Sequence, residues 1–227
     1  MSKAFIVVLI LFFSNRVAGQ QLSQASFLNG SSLSYFSLLT DQGVLIRISD
    51  DGKVLEWGTE VVSDRGNYYA PRLQPYIGRV EYFGKESDSA FRGKIRGIGT
   101  AFITYYGGYE EDYKKGKLRS LGSLQFEYYS NYEDKNLQGK LKMMGSLLID
   151  YYRSYENESF RGKPRAIGSV SIGYYSAFDD KYNAGKIKNI GSVNYVWYSP
   201  LNHSYLRGGL KTNNYRQVIS GVTYILQ

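Results

Sequence analysis

The sequence predicts an all-β protein built as a repeat array, with two short strands in every 23-residue unit. Three observations carry this. Gly-Lys recurs at Gly93, Gly116, Gly139, Gly162 and Gly185, always 23 residues apart. Each unit shows apolar residues at every second position, the period of a half-buried strand. A second glycine row at Gly99, Gly122, Gly145, Gly168 and Gly191 punctuates the units where the chain must turn or bend. Little helix is expected anywhere.

The units read GKIRGIGTAFITYY, GKLRSLGSLQFEYY, GKLKMMGSLLIDYY, GKPRAIGSVSIGYY and GKIKNIGSVNYVWY. In the second strand, Ile103, Phe126, Ile149, Ile172 and Tyr195 share a face with Tyr105, Tyr128, Tyr151, Tyr174 and Trp197. That face is read as core. The opposite face is mostly polar and ends in an unbroken row: Tyr106, Tyr129, Tyr152, Tyr175 and Tyr198. In the first strand, the apolar rows Ile95 to Ile187 and Ile98 to Ile190 stand three apart, so a bulge or bend must separate them. Strands are expected near 94–98 and 100–106 and at equivalent positions in later units.

Two arrangements fit: an antiparallel hairpin meander, or a solenoid in which equivalent strands stack. Arg96, Arg119, Lys142, Arg165 and Lys188 occupy one position in all five units. Direct stacking would set these cations about 4.8 Å apart. Neighbours would then repel by about 0.9 kcal/mol in water. An intervening strand doubles the spacing, which favours the meander.

Three regions result. Residues 1–19 read as a secretory signal peptide. Lys3 precedes the ten-residue apolar run AFIVVLILFF, and Val17 and Gly19 are small residues before a cut at Gln20. That run is shorter than the roughly 20 residues of a membrane helix, and no later stretch is long and apolar enough to be one. Residues 20–75 form an N-terminal segment with one hairpin, VLIRISDDGKVLEWGTEV, turning at Asp51-Gly52. Its Ser- and Gln-rich start, 20–42, is expected to be partly flexible. Residues 76–227 hold the array with degenerate terminal units as caps.

Composition narrows the chemistry. The 227 residues include 23 Tyr, one His and no Cys. Disulfides, thiolate metal sites and cysteine nucleophiles are therefore excluded. An exported chain without cysteine fits a bacterial envelope or extracellular setting, so the sequons at Asn29, Asn157 and Asn202 are read as silent.

The core Gly93-Lys94-Ile95-Arg96-Gly97-Ile98-Gly99-Thr100 resembles the membrane occupation and recognition nexus (MORN) repeat. Tyr109-Glu110 and Tyr132-Glu133 match that family's Tyr-plus-acid segment before the next unit. The resemblance covers residues 93–198. It departs at the second core glycine, which is Ser120, Met143, Ala166 and Asn189 in later units. It implies a hairpin array acting as a non-catalytic scaffold or binding surface. Curli-type amyloid subunits share export and period but rely on Gln and Asn ladders absent here.

No catalytic residue, cofactor or metal site is expected. His203 lies in SPLNHSY with no spacing that links it to Ser204 or Asp179. The acid clusters Glu110-Glu111-Asp112, Glu133-Asp134, Glu156/Glu158 and Asp179-Asp180 recur once per unit but lack the alternation of a calcium loop. They are read as solvated turns balanced by Lys94, Lys117, Lys140, Lys163 and Lys186. The candidate binding residues are two rows. Tyr106, Tyr129, Tyr152, Tyr175 and Tyr198 are either a platform for sugars or a partner, or cross-strand packing. Arg96, Arg119, Lys142, Arg165 and Lys188, with the Gly-Lys lysines, are expected on the polar face of the first strand. They form either an anion-attracting stripe or one neutralised by the acidic connectors.

The expected function is a non-enzymatic exported binding or scaffolding protein, secreted or periplasmic. Its partners would be an anionic glycan, lipid head groups or another envelope protein, and not nucleic acid. The alternative is a carbohydrate-active or metal-dependent enzyme built on the array.

Overall fold

A computed structural model describes residues 20–61, 71–199, 201–202, 208–212 and 214–227. The expected leader 1–19 and His203 lie outside these residues. The described chain is all β, with eighteen strands in two sheets.

The first strands are β1 (Gln21–Leu28), β2 (Ser32–Leu39), β3 (Leu45–Ile48), β4 (Val54–Glu60), β5 (Leu73–Pro75) and β6 (Val80–Tyr82). Five hairpins follow, one per unit. They are β7 (Ile95–Ile98) with β8 (Ala101–Tyr105), β9 (Leu118–Leu121) with β10 (Leu124–Tyr128), β11 (Leu141–Met144) with β12 (Leu147–Tyr151), β13 (Pro164–Ile167) with β14 (Val170–Tyr174), and β15 (Ile187–Ile190) with β16 (Val193–Asn194). The chain closes with β17 (Arg216–Ile219) and β18 (Val222–Leu226).

Strands β6 to β16 form an 11-stranded antiparallel sheet in chain order, which is the meander and not the solenoid. Each hairpin turns on two residues, the first a glycine with positive φ, such as Gly99 at +57° and Gly145 at +60°. Glycine at the first central position is what a primed hairpin turn needs. Every junction between units carries a register shift at the same place: Thr104 faces Ser120, but Tyr105 faces Leu118. Arg119 is the extra residue. The bulge that separates the apolar rows is therefore the Arg/Lys position itself.

The second sheet runs β17-β18-β1-β2-β3-β4-β5, with β18 parallel to β1. It lies over the inner face of the array, and the two faces share one core. Phe27, Phe36, Leu38 and Ile46 of this cover sheet cluster with Leu121, Phe126, Ile149 and Tyr151 of the array. Its loops dock at both ends of the array strands. Gln20 accepts from the Ser123 N–H (3.2 Å) and Gln42 from the Thr100 N–H (3.1 Å). At the opposite end, Leu141 N–H donates to Asp50 O and Ile187 N–H to Gly30 O, both at 2.7 Å. Strand β1 thus starts beside the second unit and ends beside the fifth, so the two sheets cross obliquely.

Two expectations change. Residues 20–42 are not flexible: they form β1 and β2, and Ala25, Phe27, Phe36 and Leu38 are fully buried. Polar Gln24, Ser26 and Ser37 are buried too, on the other face of the sheet. The C-terminal strands do not cap the array; they return to the cover sheet and flank β1. The array's last degenerate unit carries Gly208, whose N–H donates to Tyr198 O (3.0 Å) and whose carbonyl accepts from Lys186. It stays paired through Leu210, bridged to Trp197, as far as Lys211, whose N–H donates to Val196 O (2.8 Å).

Candidate functional site

Among the described residues, no second sheet lies over the array's outer face. Phe102, Gln125, Ser171 and Asn194 are exposed along it, as are Thr104 and Glu127. The candidate cations sit at the bulges bordering this face. Arg96, Arg119, Arg165 and Lys188 are exposed and Lys142 is half-buried. The bulge pushes each one out of the ladder, where no strand residue opposes it.

These cations are not equivalent. Lys142 pairs with Glu133 (2.6 Å) and Lys188 with Asp179 (3.1 Å), each nine residues earlier in the chain. Arg165 approaches Glu156 (3.7 Å) and Asp150 (3.9 Å). In the second unit, Glu110 and Glu111 are taken by Lys114, leaving Arg119 without an acid among the described residues. Ser87 occupies the place nine before Arg96, and Arg96 is likewise unpaired among the described residues. The connectors therefore neutralise the C-terminal half of the row and leave its start basic.

The tyrosine row beside it is largely tucked in. Tyr129 is buried, and Tyr106, Tyr152 and Tyr175 pack against the core. Each hydroxyl donates to a carbonyl of the following unit: Tyr106 to Phe126 (2.9 Å), Tyr129 to Ile149 (3.0 Å), Tyr152 to Ile172 (3.0 Å) and Tyr175 to Tyr195 (2.9 Å). The rings meet the next unit's inner tyrosines edge-on, at 6.1 Å for Tyr106–Tyr128 and 5.8 Å for Tyr129–Tyr151. One face of each ring carries the next cation, such as Arg119 over Tyr106 (5.7 Å) and Lys188 over Tyr175 (5.6 Å). Tyr198, half-buried, has Lys211 at 5.4 Å. The row is chiefly a set of ties between units.

The Gly-Lys lysines do not lie on the polar face as expected. Lys94, Lys117, Lys163 and Lys186 bend across the strand ends and donate to the carbonyls of Gly116, Gly139, Gly185 and Gly208, one unit on. Each ammonium also lies over an inner-row ring, Lys163 over Tyr174 at 5.2 Å and Lys186 over Trp197 at 4.4 Å. Alternation puts them outward, but they sit beyond the last paired residue, where a long stem is free to turn inward. Lys140 differs: its ammonium pairs with Asp50 of the cover sheet. Burial pushes the Lys163 amine down to about 8, while the Gly185 carbonyl and the Tyr174 ring favour its charged form.

The repeated acids are turn caps. Glu133 accepts from the Ser130 N–H (3.1 Å) and Asp179 from the Ser176 N–H (3.0 Å). Asp88 accepts from Ala90 and Gly108 N–H groups (2.9 and 2.7 Å), and Asp134 from those of Asn136 and Ser154 (2.8 and 2.9 Å). Asp88 and Asp134 each span two units. Among the described residues no three His, Asp or Glu side chains converge as metal ligands would.

Two features escaped the sequence reading. One is a row of fully exposed rings at the connector tips, Tyr109, Tyr132, Tyr155 and Phe178; its period is plain in GGYEE, SNYED, RSYEN and SAFDD. The other is a polar network on the far face of the cover sheet. Gln24 accepts from Ser37 (3.1 Å), and Glu60 takes Arg216 (2.7 Å). Buried Arg47 reaches Pro71 O (2.6 Å) and lies over Tyr35 (4.2 Å). These residues lie on β1, β2, β3, β4 and β17 and in the segment before β5, so no local spacing announces them. Comparison of the chain with known protein families, with curated proteins and with solved structures gives no match.

Proposed function

We propose that this chain is an exported, non-enzymatic binding or scaffolding protein, a diverged relative of MORN-type hairpin arrays, acting in the bacterial envelope or outside the cell. The observation that carries this reading is the asymmetry of the array. Its inner face is sealed by the cover sheet, while its outer face, among the described residues, stays open along eleven strands. The repeated polar groups on the inner rim and in the connectors hold the units together. What is left over for a partner is the open face and its basic start at Arg96 and Arg119. Without residues 1–19 the chain loses Lys3 and Arg16 and no acid, so its net charge is 26 − 20 = +6. The array's basic start attracts polyanions, and the partner is an anionic glycan or anionic lipid head groups.

The test is binding of the protein to an anionic polysaccharide and to anionic vesicles across salt. Affinity should fall steeply from about 0.1 to 1 M salt, as screening shortens from about 10 to about 3 Å. Arg96→Gln with Arg119→Gln should weaken binding several-fold. Their effect on stability should be small, because exposed unpaired charges contribute little. Salt-independent binding, or none at all, would contradict the proposal.

A further inference from the structure

The connector tips carry a row that the fold does not use. Tyr109, Tyr132, Tyr155 and Phe178 stand 23 residues apart, and their exposures are 105, 93, 83 and 95%. Each is the third residue of a four-residue turn closed by one backbone bond. Glu110 N–H donates to Gly107 O (3.3 Å), Glu133 to Ser130 (3.4 Å), Glu156 to Arg153 (3.1 Å) and Asp179 to Ser176 (3.2 Å). In the last three turns the fourth side chain also accepts from the first N–H. The tip is thus held from both sides. The rings themselves make no hydrogen bond, ring or cation contact among the described residues. A lone exposed aromatic is ordinary. Four rings at one register position, each on a fixed turn, make a pre-organised ridge.

Two strands separate successive tips, which places them about 10 Å apart. Lys135, exposed in the second connector, has no acid partner among the described residues, whereas Lys115 faces Asp88. We infer that the ridge docks an extended, acidic, β-1,4-linked polysaccharide, with every second sugar stacked on one ring. The C–H face of a pyranose packs on an aromatic face. A β-1,4-linked chain repeats its orientation every two sugars, over about the distance between tips. Lys135 and Arg119 meet its carboxylates. This inference rests on the binding function proposed above and adds the ligand's linkage and a second row of contacts.

The experiment measures binding of the protein to carboxymethylated cello-oligosaccharides of increasing length, beside polyglutamate of matched charge. Affinity for the sugars should climb until about eight sugars span four tips. Each ring removed should weaken sugar binding roughly 3- to 10-fold. The variant Tyr109→Ala, Tyr132→Ala, Tyr155→Ala should fold as the parent does, since these rings are almost wholly exposed, and should keep its affinity for polyglutamate. If sugars and polyglutamate bind alike, without length dependence and without loss in the variant, the ridge inference fails and the basic-surface proposal stands. If neither polymer nor anionic vesicles bind, both fail. If sedimentation shows that the variant dissociates a dimer while sugar binding is unchanged, the ridge is a contact between copies of this chain and the inference is overturned.

Discussion

The two sheets differ in how they are specified. The array is periodic: one hairpin with one turn, one bulge and one set of ties is repeated, each unit holding the next through a lysine, a tyrosine and often an acid. The cover sheet has no period and is assembled from both chain ends, with β1 between β2 and the parallel β18. A periodic sheet exposes the same apolar rows in every unit and has no means of its own to bury them. The cover sheet supplies that burial, and its loops enter where the array's lateral ties change. At the third unit Asp50 takes the lysine that elsewhere holds a glycine carbonyl. The array's regularity is therefore a property of its edges and outer face, while its stability depends on an irregular partner.

Breaking the shared core should have the largest effect. Phe36 of the cover sheet and Phe126 of the array are both fully buried in one cluster. Phe36→Ala and Phe126→Ala should each cost about 3–5 kcal/mol. Both should lower the same thermal transition. An array that keeps its melting point in Phe36→Ala would divide the molecule into two independent parts.

The glycines sharpen the comparison at slightly smaller scale. Gly162, in the array, has φ of +74° and open space around its missing Cβ. Gly162→Ala should lose only the conformational preference, about 1–2 kcal/mol. Gly30, at the tip of the β1–β2 hairpin, has φ of +59°, and a Cβ there would fall 1.9 Å from the Trp197 ring. Its carbonyl is also fixed by Ile187 N–H, so the loop cannot back away. Gly30→Ala should cost at least twice as much as Gly162→Ala, and chemical denaturation of the two variants measures this. Gly145→Val should fall between them, since its Cβ meets only the movable end of Leu124 at 2.8 Å.

Two lysines of the row cross between the sheets: Lys163 donates to the Ser31 hydroxyl (2.7 Å), and Lys140 forms the partly exposed ion pair with Asp50. A double-mutant cycle with Asp50→Asn and Lys140→Met should give a coupling of about 0.5–1 kcal/mol.

The smallest effect concerns acid. The Ser176 hydroxyl and N–H, with Lys188, hold Asp179 down from 3.8 to about 2. A carboxyl depressed on folding stabilises the native state above its unfolded value and loses that contribution as pH falls toward 2. Asp179→Asn should flatten the stability curve between pH 4 and 2, read by urea unfolding at each pH, by lowering stability at neutral pH and leaving it unchanged at the acid end.

Legibility followed the same divide. The hairpins could be read because one face of each strand is apolar and one polar, and because the spacing of Ile95 and Ile98 betrays a bulge. The lysine row was misplaced because the last paired residue ends the alternation, and no pattern tells which way a long stem then turns. The cover sheet was unreadable for a different reason. In β1, Gln24 and Ser26 are as buried as Ala25 and Phe27, so its polar residues suggested a solvated, flexible segment when they were lining a second interior. The return of β18 to β1 joins residues some two hundred apart, and nothing local signals such a parallel pairing. In the candidate site, the positions of Arg96 and Arg119 were legible. That only these two lack an acid partner among the described residues depends on which connector carries Glu133, Glu156 or Asp179 at the right offset, and on Lys114 capturing Glu110 and Glu111.

The chain's two tryptophans allow a direct test of the central claim, because one lies in the cover sheet and the other at the end of the array. Trp57 is on β4 of the cover sheet and packs against the core. Trp197 is buried at the end of the array, its indole N–H bonded to Ile187 O at 2.7 Å. Equilibrium unfolding of the variants Trp57→Phe and Trp197→Phe, each followed by the remaining fluorophore, reports one sheet at a time. A single core predicts coincident transitions and equal slopes after correction for each variant's own stability by circular dichroism. Two separate midpoints, with the array surviving the loss of the cover sheet, would contradict the account.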